Sequence, residues 1–227
     1  MSQLVLPLKL QDHAVFESFL PIGNEALVAF LERTVATANS PGGWIRGAHA
    51  TGKTHLLQAV CERAGDQAQF LPLADFVTAD PTILEGMAIR QFICIDDVDA
   101  VSGDSDWELA LFSLYNSLIE SGGVLICSAA SAPRDCGFGL ADLTSRFSRL
   151  PTFNLHSLEE SQRIEALQLR ARHRGLEMPT ETAGFLLNRS PRDMASLYAM
   201  LDKLDAEAMI AKRKLTIPFV KEVLEIT

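Results

Sequence analysis

One eight-residue segment constrains the fold of this 227-residue chain more than any other. Residues 47–54 match the pattern GxxxxGK[ST], in which glycines let backbone N–H groups turn inward around an anion. Lys53 is expected to reach the β- and γ-phosphates of a nucleotide, and the Thr54 hydroxyl to ligate Mg²⁺. The pattern predicts a strand before the loop and a helix over residues 53–64, whose N-terminus favours phosphate. The predicted phosphate-binding residues are Gly47, Ala48, His49, Ala50, Thr51, Gly52, Lys53 and Thr54.

Short apolar runs alternate with helical patterns as far as about residue 156. Such alternation indicates crossover units and a mainly parallel sheet. The runs that predict strands are 44–46, 69–73, 91–95, 124–128 and 152–155. From Ser157 onward the pattern is almost wholly helical. We therefore expect an α/β fold with a parallel five-stranded sheet over residues 11–156, followed by a small all-helical domain over residues 157–227.

Charge and cysteine usage narrow the class of protein. The chain carries 20 basic and 29 acidic residues, and residues 1–132 alone have a balance of −10, so bulk attraction to nucleic acid or membrane is not expected. No stretch approaches the roughly 18 apolar residues of a membrane span. The four cysteines form no CxxC pair and are expected to be reduced, mostly buried thiols of a cytoplasmic protein.

Paired carboxylates follow the third predicted strand. Asp96 and Asp97 lie about 43 residues after Lys53, at the end of an apolar run. A phosphate-loop enzyme needs such carboxylates: Asp96 would hold the Mg²⁺ shell, and Asp97 would polarise the attacking water. Taken alone, the same pattern is typical of a strand that simply enters a turn. The phosphate loop favours the functional interpretation.

The loop, the Asp-Asp strand and the helical tail together resemble AAA+ ATPases, specifically their replication-initiator (DnaA-like) branch. The segment 16–24 resembles the one that forms the adenine pocket in that branch. The resemblance therefore assigns Phe19, Gly23 and Asn24 to nucleotide binding. Plain core packing is the alternative for Phe16 and Phe19.

Two arginines extend the resemblance. Arg146 lies between the fourth and fifth predicted strands, where AAA+ proteins carry an arginine finger that reaches a neighbouring molecule's γ-phosphate. Arg192 opens a helix in the tail and resembles the second sensor arginine, which reads the bound nucleotide from the lid. An isolated arginine is more often a surface charge, and the stretch with Arg170, Arg172 and Arg174 fits a solvated helix face. That stretch is also suited to an acidic partner or a DNA backbone.

The sequence departs from the family at the first sensor. After the fourth predicted strand the chain reads Cys-Ser-Ala-Ala-Ser over residues 127–131, with alanines where this branch usually carries an acidic residue. Ser128 is the only modest candidate for that sensor. We therefore expect weak intrinsic ATP hydrolysis or none.

Residues 1–10 are expected to form an N-terminal docking peptide. A glutamine followed by spaced leucines and a proline suits an extended peptide with apolar anchors. It resembles a motif that binds the DNA polymerase sliding clamp, with Gln3, Leu4, Leu6 and Leu8 as anchors. An edge strand or a frayed tail is the alternative.

A clamp-binding peptide before an initiator-like AAA+ unit resembles regulators that inactivate the DnaA initiator. The resemblance implies a negative regulator of chromosomal replication that holds ADP or ATP with Mg²⁺. It would bind the clamp and promote ATP hydrolysis on DnaA through Arg146. DNA contact is expected to be indirect, through the clamp, and a homo-dimer or larger oligomer is compatible with the sequence. The alternative is a DNA-acting AAA+ ATPase of the helicase-loader or transposition-helper type.

Overall fold

The computed structural model describes residues 14–189, 194–211 and 214–225, and in this part of the chain five parallel strands form one sheet. The strand order is β2-β3-β4-β1-β5. The strands are β1 Gly42–Arg46, β2 Ala68–Pro72, β3 Phe92–Asp96, β4 Val124–Ala129 and β5 Thr152–Asn154. Each predicted run falls on one of these strands, and the α/β fold class is confirmed.

Helices flank the sheet and then continue without strands to the end of the described chain. Four belong to the sheet region: α1 Glu25–Thr37, α2 Lys53–Ala64, α3 Ser105–Glu120 and α4 Ala141–Phe147. Four follow it: α5 Glu160–His173, α6 Thr180–Arg189, α7 Met194–Ala211 and α8 Ile217–Leu224. Helix α2 has the predicted bounds because the phosphate-loop motif fixes its first residue and Gly65 follows its last.

The two faces of the sheet bury separate apolar clusters, because successive strand residues point to opposite sides. Trp44, Ile93 and Leu125 join the cluster under α3 and α4. Ile45 and Ile126 join the cluster under α1 and α2. Every residue of β3 and β4 is buried, as expected for central strands covered on both faces.

The helices α5 to α8 enclose a third apolar cluster. Its fully buried members include Leu167, Leu186, Leu197, Leu201 and Val220. The helical prediction for the tail is therefore confirmed, and a small all-helical unit follows the sheet.

The cysteines are free, and three of them, Cys61, Cys94 and Cys127, are buried. Cys136 is partly buried. Among the described residues, none of the helices combines the length and the apolarity that crossing a lipid bilayer requires.

Candidate nucleotide site

The phosphate loop connects the end of β1 to the first turn of α2, and its backbone demands glycine. Gly52 has a φ of +106°, and a Cβ there would lie 2.9 Å from Cε2 of Phe19. A Cβ on Gly47 would lie 3.0 Å from the Leu155 carbonyl oxygen and 3.0 Å from Oγ1 of Thr51. Gly52 is therefore fixed by backbone conformation and by close approach, and Gly47 by close approach alone.

Lys53 is held inside this loop. Its side chain is buried, and Nζ donates to the carbonyl oxygens of Gly47 at 3.1 Å and Ala48 at 3.2 Å. The same Nζ lies 3.9 Å from Oδ1 of Asp97. The ammonium group thus lies between the loop and the acidic pair, where its positive charge can meet a phosphate.

A serine on the neighbouring strand organises the acidic pair. Ser128 donates its hydroxyl hydrogen to Oδ1 of Asp96, and its Oγ accepts from the Asp97 N–H at 3.0 Å. Asp97 has a φ of +48°, a left-handed conformation that Asp tolerates better than most residues. The sequence alone indicates Ser128 only as a modest sensor candidate. The pairing of Ile95 with Cys127 is what brings the next residues, Asp96 and Ser128, together.

The electrostatics of the acidic pair favour a cation. Burial and the neighbouring Asp96 raise the pKa of Asp97, while the Lys53 ammonium partly opposes this. The candidate Mg²⁺ ligands, Asp96 and Thr54, lie at the end of β3 and in the first turn of α2. These oxygen donors fit Mg²⁺, which takes few protein ligands and completes its shell with water and phosphate oxygens. Among the described residues, no cluster of three His, Cys, Asp or Glu side chains suited to a metal occurs.

A cavity of about 230 Å³ opens beside the loop, between the segment before α1 and helices α5 and α7. Of the residues that the resemblance assigns to nucleotide binding, Phe19 and Asn24 line this cavity, whereas Gly23 is not among the lining residues. Gly23 instead adopts a φ of +75° in the turn before α1 and donates its N–H to Oε1 of Glu25 at 3.0 Å. The other lining residues are Leu20, Ala50, Thr51, Gly52, Thr54, His55, His156, Leu158, Arg170, Met194, Ala195, Tyr198, Ala199 and Asp202.

Asn24 connects the start of α1 to the chain segment after β5. Its Oδ1 accepts from the His156 N–H at 2.8 Å, and its Nδ2 donates to the His156 carbonyl oxygen at 3.2 Å. This paired contact fixes one wall of the cavity at the point where the chain leaves the sheet.

A buried histidine connects α2 to the helical unit. Nε2 of His55 lies 2.8 Å from the Val15 carbonyl oxygen, and Nη1 of Arg170 lies 3.3 Å from Nδ1 of His55. Burial is the main reason that the pKa of His55 falls to about 4, and the nearby Arg170 charge adds to it. The imidazole is therefore neutral at pH 7, so Nε2–H donates to Val15 and Nδ1 accepts from Arg170.

The prediction that Arg170, Arg172 and Arg174 line a solvated helix face is wrong for two of the three. Arg170 is only 1% exposed, and its guanidinium carbon lies 4.1 Å from the centroid of the Tyr198 ring. Arg174 pairs with the carboxylates of Asp202 and Asp205. Arg172 is exposed, as expected. Position was a usable signal, because Arg170 and Arg174 follow the helical spacing of the buried residues on the same face.

Arg146 lies apart from the cavity, near the end of α4. It is partly exposed, and its guanidinium carbon lies 6.0 Å from the centroid of the Phe112 ring on α3. Arg192 and the predicted clamp-binding residues Gln3, Leu4, Leu6 and Leu8 lie outside the described residues.

The helical unit formed by α5 to α8 matches a known protein family. Residues 160–224 match the family described as Hda, lid domain.

The whole fold is similar to solved structures of replication initiators and of a branch migration motor. Domain III of the Thermotoga maritima replication initiation protein DnaA aligns with a TM-score of 0.76 and 19% identity, covering 96% of this chain and 98% of that chain. Aquifex aeolicus DnaA bound to AMPPCP aligns with a TM-score of 0.68 and 19% identity, covering 88% and 67%. The Thermotoga maritima Holliday junction branch migration motor RuvB aligns with a TM-score of 0.58 and 15% identity, covering 92% and 69%.

At such identities the structural likenesses show a shared fold, and the lid match refines the assignment. The chain is therefore similar in fold to the replication initiator DnaA, with a parallel five-stranded sheet and a phosphate loop, and its helical unit matches the Hda lid-domain family over residues 160–224.

Proposed function

We propose that this protein is a nucleotide-bound negative regulator of chromosomal replication initiation. It binds the DNA sliding clamp and stimulates ATP hydrolysis by the DnaA initiator, to which it supplies Arg146 as an arginine finger. The observation that carries the proposal is the Hda-type lid on residues 160–224, joined in one chain to a DnaA-like fold.

Nucleotide, as ADP or ATP, would bind within the chain itself. The loop N–H groups and the buried Lys53 would hold the phosphates, and the cavity lined by Phe19 would take the rest of the molecule. Thr54 and Asp96 would hold Mg²⁺, which when bound neutralises charge on the phosphate oxygens. Arg192 would contact the nucleotide from the lid. Binding at a cavity shared by both units would fix the angle between them.

Slow turnover of this nucleotide is part of the proposal. Ala129 and Ala130 follow Ser128, so the residues after the sensor candidate offer no polar side chain toward a γ-phosphate. The Ser128 hydroxyl is already engaged by Asp96 and by the Asp97 N–H. Asp97 is suited to polarise water, but a nearby group that stabilises the transition state is missing among these three positions.

Arg146 would act on the initiator and not on the protein's own nucleotide. A planar guanidinium fork can bridge γ-phosphate oxygens and offset the charge that develops during hydrolysis. The partial exposure of Arg146 and its contact with Phe112 support this role, because a group that works on another molecule must reach the surface in a defined orientation.

Clamp binding would deliver Arg146 to its target. A clamp loaded on DNA that holds the peptide with Gln3, Leu4, Leu6 and Leu8 would raise the local concentration of this protein near DNA-bound initiator. Linked binding of this kind increases the effective affinity without any new contact.

Surface plasmon resonance on immobilised sliding clamp tests the tethering step. Wild type and the control variant Leu10→Ala should bind, and Leu6→Ala/Leu8→Ala should lose binding, because two apolar anchors leave their pocket. Absence of wild-type binding would contradict the proposal. DNA-stimulated ATP hydrolysis that disappears in Lys53→Ala would instead favour a DNA-acting loader-type ATPase.

A further inference from the structure

A buried carboxylate outside the nucleotide site is the starting observation. Glu108 on α3 is only 1% exposed. Burying a carboxylate to this extent costs free energy unless the group is hydrogen-bonded. Its partners are three backbone N–H groups. Oε1 accepts from Gly103 at 2.7 Å and from Gly139 at 2.9 Å, and Oε2 accepts from Leu140 at 2.6 Å.

Two of these three bonds reach the entry of α4. Leu140 is the residue immediately before α4, and Gly139 precedes it. The Leu140 carbonyl oxygen then accepts the Thr144 N–H at 3.2 Å, which is the first hydrogen bond of that helix. The Glu108 carboxylate therefore fixes the first residue from which α4 is built.

The same face of α3 also contacts the other end of α4. Phe112 lies four residues after Glu108, one helical turn further along, and its ring lies under the Arg146 guanidinium. The helix α4 has only seven residues, and its buried anchors are Leu143 and Phe147. Because α4 is so short, a shift of its first residue should also change the orientation of Arg146.

We propose that Glu108 is a positioning residue for Arg146. Its carboxylate, through the N–H groups of Gly139 and Leu140, sets the orientation in which α4 presents the guanidinium to a neighbouring molecule's nucleotide. This inference rests on the proposed function, because the readout is stimulation of the initiator.

The substitution Glu108→Gln tests this with little change in shape. The amide has one oxygen where the carboxylate has two, so at least one of the three N–H groups faces another donor. We expect the maximal rate of clamp-dependent ATP hydrolysis on DnaA to fall about tenfold, since misorientation of a catalytic group costs rate. The protein concentration that gives half of the maximal rate should change less than about twofold, because binding surfaces are untouched.

Two further variants control for a general loss of structure. Glu120→Gln changes an exposed glutamate at the end of the same helix and should stimulate like wild type. Leu140→Pro removes the backbone N–H that donates to Glu108, and the φ of −82° at this position is one that proline tolerates. This variant should also lower the rate, so it tests the inference even if Glu108→Gln fails to fold.

The double variant Arg146→Ala/Glu108→Gln tests whether Glu108 acts through Arg146. If it does, DnaA hydrolyses ATP no more slowly with the double variant than with Arg146→Ala alone. The half-maximal concentration of Glu108→Gln separates this role from a general loss of structure, which would raise it. The inference is overturned if folded Glu108→Gln and Leu140→Pro stimulate at the wild-type rate while Arg146→Ala does not. If Arg146→Ala also stimulates like wild type, the proposed function fails, and the inference fails with it.

Discussion

The phosphate loop and helix α4 each carry a cationic side chain, and the two side chains differ in burial and in contacts. Lys53 is 8% exposed and donates to two carbonyl oxygens of its own loop. Arg146 is partly exposed, and an aromatic ring is the contact that supports its guanidinium group. One charge is therefore enclosed by the phosphate loop, whereas the other lies at the surface, where a second molecule can reach it.

The two regions are also held by different forces. The loop is shaped by its own backbone, with left-handed residues at Ala50 and Gly52. Helix α4 is held by side chains of α3, through the carboxylate of Glu108 and the ring of Phe112. Substitutions in the loop should therefore alter nucleotide binding, and substitutions around α4 should alter action on a partner.

The largest effect should come from Arg146→Ala. We expect the rate of DnaA ATP hydrolysis stimulated by this protein to fall about 1,000-fold, the range that removal of an arginine finger gives. Its own nucleotide affinity should stay unchanged. Arg149→Ala removes an exposed arginine three residues further on and is the matched control in the same hydrolysis assay. Equal losses in both variants would show that general charge, and not Arg146, matters.

Lys53→Ala should weaken nucleotide binding at the phosphate loop. Loss of a charged donor to phosphate corresponds to about 3 kcal/mol, so we expect the dissociation constant for ADP to rise about 100-fold. Titration with a fluorescent ADP derivative measures this change. Lys203→Ala, at an exposed position of α7, should bind like wild type. A wild-type affinity of Lys53→Ala for ADP would contradict the assignment of Lys53 to phosphate binding.

Acidification should loosen the connection between α2 and the helical unit. The folded state keeps His55 neutral down to about pH 4, whereas the unfolded chain takes up a proton near pH 6.5. The unfolded state therefore binds more protons in this window, and stability falls as the pH falls. We expect His55 to account for about 2 kcal/mol of lost unfolding free energy between pH 7 and pH 5.

Urea unfolding of His55→Gln at both pH values measures that share. The variant should lose correspondingly less stability on acidification than wild type. His173→Gln, at an exposed position of α5, should keep the wild-type pH dependence. Identical pH dependence in His55→Gln and wild type would contradict the neutral buried imidazole.

Ser128→Ala should give the smallest effect. It leaves the Asp97 N–H and one Asp96 oxygen without their shared partner, at a cost of about 1–2 kcal/mol of unfolding free energy. Urea denaturation measures this cost, and the weakened acidic pair should also need more Mg²⁺ for nucleotide binding. Ser113→Ala, an exposed serine that bonds within its own helix, should change stability by less than about 0.5 kcal/mol.

Local pattern was enough to predict the sheet, α2 and the phosphate loop, because each depends on periodicity or on one contiguous motif. Contacts between distant segments were not predictable in the same way. Ser128 required the register of β3 against β4, and Glu108 binds backbone N–H groups about 31 residues away. Arg170 was assigned to solvent because of its charge, although its helical spacing with Leu167 and Ala171 already indicated a buried face.

The most direct test of the account follows the phosphate on the initiator itself. DnaA is loaded with γ-labelled ATP, and phosphate release is measured in a single turnover after addition of this protein, previously loaded with ADP, together with clamp on DNA. We expect rapid release that requires the clamp, because Arg146, and not the nucleotide bound to this protein, accelerates hydrolysis on DnaA. Release at the rate of DnaA alone would contradict it.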